Sequence, residues 1–285
     1  MSHILPPFLE SGVLDPEGPV GGAIRTILLN ALAIMAAIAV PTIVATLAFA
    51  WWFRASNSRA RYLPNWAYSG RIELVVWSIP VLVILFLSGV IWMGSYDLDP
   101  ARPLKTDVRP LNVQVVSLDW KWLFIYPDHG IASVNELVVP ASTPVQFKLT
   151  SSGVMTAFFV PQLGSMIYTM NGMTTQLHLQ ADREGEFLGR ASQFSGDGFS
   201  GMQFTTRAVS DDAFDAWVRT SQAAGPMLDD AIYIELAKQS INVPPSTYRL
   251  HDPNLFQSIV TRALPPGPGP QFGRPTPHVT HRIGG

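Results

Sequence analysis

The sequence predicts a membrane protein with two transmembrane helices, an all-β sandwich domain and short C-terminal helices. Three observations carry that reading. Two long runs contain no charged residue, the pattern beyond them changes from continuous apolar to alternating, and only 14% of the 285 residues are charged against 47% hydrophobic. An ordinary globular chain is about one-quarter charged, so the deficit points to segments in lipid rather than to an oversized core. A net charge of −2 gives no basic surface for nucleic acid. With no cysteine there is no disulfide, thiolate nucleophile or cysteine-held metal.

The chain opens with a segment over 1–25 that lacks the basic region, short apolar core and cleavage site of a secretory signal, so the first span is expected to direct insertion itself. The charge-free runs lie between Arg25 and Arg54 and between Glu73 and Asp97. They place helices at about 26–53 and 74–96, each longer than the roughly 20 apolar residues that cross a bilayer core. Pro41 and Pro80 fall inside them, where neighbouring groups of a bundle can satisfy the freed carbonyls. Trp51, Trp52 and Trp92 fall near the span ends, at the level that amphipathic rings prefer. The connecting loop, 54–73, carries Arg54, Arg59, Arg61 and Arg71 and no acid before Glu73. The positive-inside bias puts this loop in the cytoplasm and both termini, with the β domain, on the outer face.

A Pro-rich linker covers 97–110, and a β domain of about 100 residues follows over 108–209. LNVQVVSLDWKWLFIYP alternates imperfectly, VNELVVP and VQFKLTS read as two strands around the tight connection ASTP, and TTQLHLQ and MQFTTRAV alternate as well. Turn signals at this spacing predict an antiparallel sandwich or barrel. Within it, His178 alternates with leucines and is expected on a polar strand face. Gly196, Gly198 and Gly201 are expected to serve turns with positive φ rather than to cradle a phosphate. Ser210 or Asp211 caps a helix over DDAFDAWVRTSQA, a second helical stretch reads MLDDAIYIELAKQ, and STYRLHDPNLFQSIVTRAL is an aromatic-bearing segment that docks on the sandwich, all within 210–262. The remainder, 263–285, is too rich in Pro and Gly to pack, and its His278 and His281 read as solvated side chains.

Two spans and an outer sandwich, in this order, resemble subunit II of the haem–copper oxidases. RIELVVWSIPVLVI is similar to the start of that family's second helix, DWKWLFIYP to its aromatic strand, FFVPQLGSMIYTMNGM to the segment bearing its first copper histidine, and ASQFSGDGFSGMQF to its copper loop. The resemblance covers about residues 13–260, and DPEGPVG, WWFRASN, YLPNW and GFSGM look closer to the ubiquinol-oxidising, cytochrome bo branch. It implies a cupredoxin-like sandwich. It also implies a complex that oxidises ubiquinol, reduces dioxygen to water and pumps protons across the bacterial inner membrane. Subunit I would hold two haems and one copper, with subunits III and IV and membrane lipid as further partners.

In the copper-bearing branch the loop reads C-x-E-x-C-x3-H-x2-M, and thiolates with imidazoles hold a binuclear centre. Here Ala191 and Ser195 take the cysteine positions, Gln193 the glutamate, Phe199 the loop histidine and Thr156 the upstream histidine, leaving Met202 alone. No copper is therefore expected in this chain, and no other cofactor. Loss of the relay fits a reductant that arrives within the bilayer. Glu73, at the start of the second helix, matches the family's glutamate at the mouth of a proton-uptake channel; the plain alternative is an interfacial acid near Arg71. Trp120 matches the tryptophan that receives electrons in the copper branch, and without copper Trp120 and Trp122 read as packing residues. Two other readings stand beside this one: cytochrome c oxidase subunit II, and a membrane-tethered cupredoxin-like scaffold or binding protein.

Overall fold

The computed structural model describes residues 12–61 and 63–268, so the segment before residue 12, and the tail that holds His278 and His281, lie outside the described residues. The chain divides into two units, Arg25–Leu98 and the residues on either side of it.

The first unit is the helical hairpin. Helix α1 runs Pro19–Trp52 and α2 runs Gly70–Asp97. Both are long and apolar enough to cross a membrane, and no residue of their most apolar windows is buried. A helix hydrophobic on all sides with nothing covering it is a membrane span rather than a core helix. Pro41 and Pro80 are accommodated without ending either helix.

The second unit is a two-sheet sandwich. Its strands are β1 (Leu111–Leu118), β2 (Lys121–Tyr126), β3 (Ile131–Val134), β4 (Glu136–Pro140), β5 (Val145–Ser151), β6 (Thr156–Phe159), β7 (Ile167–Thr169), β8 (Thr175–Leu179), β9 (Gly185–Ala191), β10 (Gln203–Val209), β11 (Met227–Leu228) and β12 (Ser246–Leu250). Seven form one sheet in the order β11-β12-β3-β2-β1-β5-β8, and five form the other, β4-β10-β9-β6-β7. Between them sits an aromatic core in which Phe158 stacks on Phe204 and meets Trp122, Phe124 and Phe147.

The sandwich is mixed rather than purely antiparallel: β1 pairs with β5, and β4 with β10, in parallel. The physical reason is that β4 and β5 lie in opposite sheets, so their short connection is an arch between sheets and not a hairpin. Conversely, the imperfectly alternating stretch at 111–126 folds into a hairpin, β1 against β2, turned at Asp119 and Trp120.

The C-terminal segment covers the outer face of the larger sheet. Helices α3 (Asp211–Ala224), α4 (Asp230–Leu236) and α5 (Leu255–Val260) alternate with β11 and β12. Ser210 caps α3 and Asp229 caps α4 through hydrogen bonds to Ala213 N and Ile232 N. Met227 and Leu228, expected in a helix, instead pair with β12, which extends the sheet beside β3. Leu228, Tyr233, Leu236, Leu255, Phe256 and Ile259 bury Leu123, Ile125, Ala132 and Val134 in a second core. Packing continues past the expected start of the tail at 263, because Gly267 N donates to both the carbonyl and the hydroxyl of Ser152.

The residues before the first span also hold to the sandwich. Glu17 is 8% exposed and pairs with Arg183. Its backbone donates to Gln162 O (2.8 Å) and accepts from Asp182 N (2.8 Å). His178 is buried, not on a polar face, because Pro100 of the linker lies against the strand edge and accepts from His178 N at 3.0 Å.

Candidate functional site

The loop between β9 and β10 brings together the residues that the sequence singled out. Thr156, at the start of β6, donates from Oγ1 to Gln193 O (2.9 Å). Next along the loop, Ser192 N donates to Ala157 O and Ala191 N to Met202 O, each at 3.0 Å. Ser195 Oγ lies 3.9 Å from Met202 Sδ, and Trp120 Nε1 donates to Ser195 O at 3.1 Å. Phe199 opens a short 3₁₀ turn, packs on the sandwich core and meets Phe194 edge-on at 5.7 Å. Thr156, Ala191, Gln193, Ser195 and Met202 are thus tied together by hydrogen bonds around the β9–β10 loop and the start of β6, with Phe199 on the same loop.

These side chains do not fit a copper pair. Ala191 and Phe199 offer no lone pair. The Thr156 and Ser195 hydroxyls already donate within the loop, and Met202 supplies one thioether, itself buried against Ser195. Soft thiolates and imidazoles are what such a centre needs. Among the described residues, no three His, Cys, Asp or Glu side chains converge as metal ligands anywhere.

Trp120 is the keystone of the loop. It sits in the left-handed region at φ +66° and is only 8% exposed. Its ring fills a notch beside Gly196 and Gly198. Gly196 has φ +110° as expected, whereas Gly198 has an ordinary φ of −85°. Gly198 is required for a different reason: a Cβ there would stand 2.3 Å from the Trp120 ring. Gly201 does not carry a positive φ either. Trp122 is fully buried among Phe158 and Phe204.

A polar seam that sequence reasoning missed lies next to this loop. Lys121 is fully buried, and its Nζ donates to Asp119 O (3.2 Å) and to Lys238 O (2.7 Å) of the C-terminal segment. Burial pulls the Lys121 ammonium down to about 8, partly opposed by the Asp119 carboxylate. Tyr233 OH meets Ser152 Oγ at 2.9 Å, and burial pushes its pKa up to about 12. In DWKW the lysine alternates with tryptophans, a pattern that otherwise reads as an exposed strand position.

Glu73 lies in the other unit, in the first turn of α2, where its backbone N–H donates to Ser69 O (3.0 Å). A carboxylate there complements the positive end of the helix dipole. Its side chain is exposed, and among the described residues no salt bridge joins it to Arg71.

Two membrane-spanning helices and a cupredoxin-like sandwich define the class of protein, and among the described residues no side-chain set of His, Cys, Asp or Glu could hold a metal. Residues 89–209 match the family described as cytochrome c oxidase subunit II, periplasmic domain, and residues 222–267 match the COX aromatic rich motif. Ubiquinol oxidase subunit 2 of Acetobacter aceti is 48% identical over 89% of this chain and 83% of its own. Cytochrome bo(3) ubiquinol oxidase subunit 2 of Pseudomonas aeruginosa is 49% identical over 88% of this chain and 76% of its own. The crystal structure of the periplasmic domain of subunit II of cytochrome oxidase from Bradyrhizobium japonicum is 28% identical, covering 42% of this chain and 96% of that one with a TM-score of 0.39. The chain belongs to the ubiquinol oxidase subunit 2 family. It is thus a subunit of an oxidoreductase complex with oxidase partners, and its two spans and periplasmic-type domain are those of an inner-membrane protein.

Proposed function

We propose that this chain is the metal-free second subunit of a complex that passes electrons from ubiquinol, within the bilayer, to dioxygen. The ligand-free loop carries the reading. Among the described residues, this loop offers one thioether and hydroxyls already engaged, which is no ligand set for a metal relay that would take single electrons from a soluble donor. A lipid-soluble donor needs no such relay, because it reaches a membrane subunit directly. In this arrangement subunit I holds two haems and one copper, subunits III and IV complete the complex, and the β domain with both termini faces the periplasm. The family name of the relatives and the arginine-rich loop support this arrangement.

The test is purification of the intact complex through a tag on this chain, followed by metal analysis, haem analysis and turnover assays. Ubiquinol oxidation, two haems and one copper per complex are expected. Three coppers per complex, or turnover with reduced cytochrome c, would support cytochrome c oxidase subunit II instead. A colourless, haem-free chain would support the scaffold reading.

Glu73 is proposed as the mouth of a proton-uptake path. Its place at the end of an otherwise charge-free span supports this, since an acid at a membrane boundary is costly and commonly functional. Glu73→Ala is expected to slow proton-coupled oxygen reduction with haem content intact; unchanged oxygen consumption and pumping would remove the assignment.

A further inference from the structure

We propose that the turn joining the two membrane helices binds the phosphodiester headgroup of an acidic phospholipid. The observation is a basic surface whose arginines are exposed in this chain and on which, among the described residues, no carboxylate is paired. Arg54, Arg59, Arg61 and Arg71 are all exposed, and no Asp or Glu occurs between Arg25 and Glu73. Among the described residues, no carboxylate pairs with Arg59 or Arg61. Directing the orientation of the hairpin accounts for arginines being present, but not for their lacking an acid partner among the described residues.

The stretch 51–60 of the turn is held by its own hydrogen bonds. Asn57 Nδ2 donates to Trp52 O (2.6 Å), its Oδ1 accepts from Arg59 N (3.1 Å), and Ala60 N donates to Asn57 O (3.3 Å). Arg54 is spent on the helix end. Its Nη1 donates to Trp51 O (3.1 Å), its Nε to Ser56 Oγ (3.0 Å), and its guanidinium lies 4.9 Å from the centre of the Trp51 ring. Within the turn itself, ahead of α2 and its Arg71, that leaves Arg59 and Arg61 as the forks free to bind. They are flanked by exposed aromatic residues, Trp51, Trp52, Trp66 and Tyr68.

Chemistry selects the ligand. A guanidinium meets two oxygens of a phosphate at once, and Trp and Tyr rings settle at headgroup depth. The turn joins two spans, so its surroundings are the headgroup layer itself. A zwitterionic headgroup carries its own ammonium and gains less from an acid-free arginine pair than a headgroup with net negative charge. Each basic side chain near an anionic surface strengthens attachment by about fivefold.

The test uses the intact oxidase in vesicles that contain photoactivatable phosphatidylglycerol or photoactivatable phosphatidylcholine, with crosslinks mapped by mass spectrometry. Labelling at 51–69 is expected to be about 25-fold stronger with phosphatidylglycerol, fivefold for each of the two arginines. It is expected to fall to the phosphatidylcholine level in Arg59→Gln with Arg61→Gln, and to an intermediate level in the double lysine variant, which keeps the charge but loses the fork, with haem content unchanged in both. Equal labelling by the two lipids, or labelling unaffected by the glutamine substitutions, overturns the proposal. Loss of labelling on adding inorganic phosphate at tens of millimolar also overturns it, because the turn would then be a general phosphate site.

Discussion

Lys121→Met isolates the energetics of the seam that fastens the C-terminal segment to the sandwich. Lys121 titrates near 8 in the folded chain instead of 10.5, with burial as the main cause. Between those two values the unfolded chain binds more protons than the folded one, so stability rises with pH across that window. Below it, the full cost of burying the ammonium is present, about 3 kcal/mol. From about pH 7.5 to about pH 9.5 the linkage returns about 2 kcal/mol. Tyr126 and Tyr233 act in the opposite direction. Burial raises both, so their contribution is lost as pH rises through about 10, the midpoint of ionisation of unfolded tyrosine. The assay is equilibrium denaturation of the detergent-solubilised chain at the two pH values, followed by the near-ultraviolet circular dichroism of its buried tryptophans. The parent chain is expected to gain stability with pH, and Lys121→Met to show no such gain. The variant leaves the Asp119 and Lys238 carbonyls without their donor, at about 1–3 kcal/mol. It also removes a buried ammonium, so its stability at neutral pH is expected within about 1 kcal/mol of the parent. A parent curve that is flat or falls over this window, or an equal slope in the variant, refutes the reasoning.

Three further outcomes follow from the same geometry. Gly198→Ala forces a methyl group into the Trp120 ring, and is expected to cost about 1–3 kcal/mol in the same denaturation assay. Ser152→Ala removes the hydroxyl that meets Tyr233 OH and Gly267 N. Amide hydrogen exchange is expected to rise at Gly267 and along α4 while β6 and β9 stay protected. Removing copper with a strong chelator is expected to leave the unfolding of the β domain unchanged, since no described side-chain set holds a metal; a lower unfolding temperature after chelation would contradict this.

The membrane hairpin was legible because its signal is simple: long runs without charge have few alternative meanings. The sandwich was legible as a class but not as a topology. β2 shows why. Trp122, Phe124 and Tyr126 face the inter-sheet core while Leu123 and Ile125 face the C-terminal helices. A strand buried on both sides loses the alternation that reveals facing. The arch between β4 and β5 was hidden for another reason: a tight connection has the same composition whether it closes a hairpin or passes between sheets. His178 was misplaced because Pro100, distant in sequence, covers it. Lys121 was missed because its partners are backbone carbonyls, one of them at Lys238, and a carbonyl carries no signature in a sequence. The chemistry at Ala191 and Phe199 needs no fold to be legible, since alanine and phenylalanine side chains have no ligand atom.

A loop that holds no metal must be shaped by something else, and here ordinary packing and hydrogen bonds suffice. In a coordinated site the ion itself would tie the β6 end to the β9–β10 loop. In this chain the Thr156 hydroxyl makes that tie through Gln193 O, and the Ser195 hydroxyl joins Met202 across the loop. The Trp120 backbone pays about 1 kcal/mol to enter the left-handed region. Its Nε1 bond to Ser195 O returns an amount of that order. The ring also occupies space that a side chain at Gly198 would close. Each buried polar group placed where a ligand would stand has a partner, so the pocket leaves no desolvated oxygen that needs a cation. The frame is therefore self-sufficient. Such a loop keeps its shape without an ion when each of its inward side chains is either apolar, as Phe199 is, or satisfied by hydrogen bonds, as Thr156 and Ser195 are.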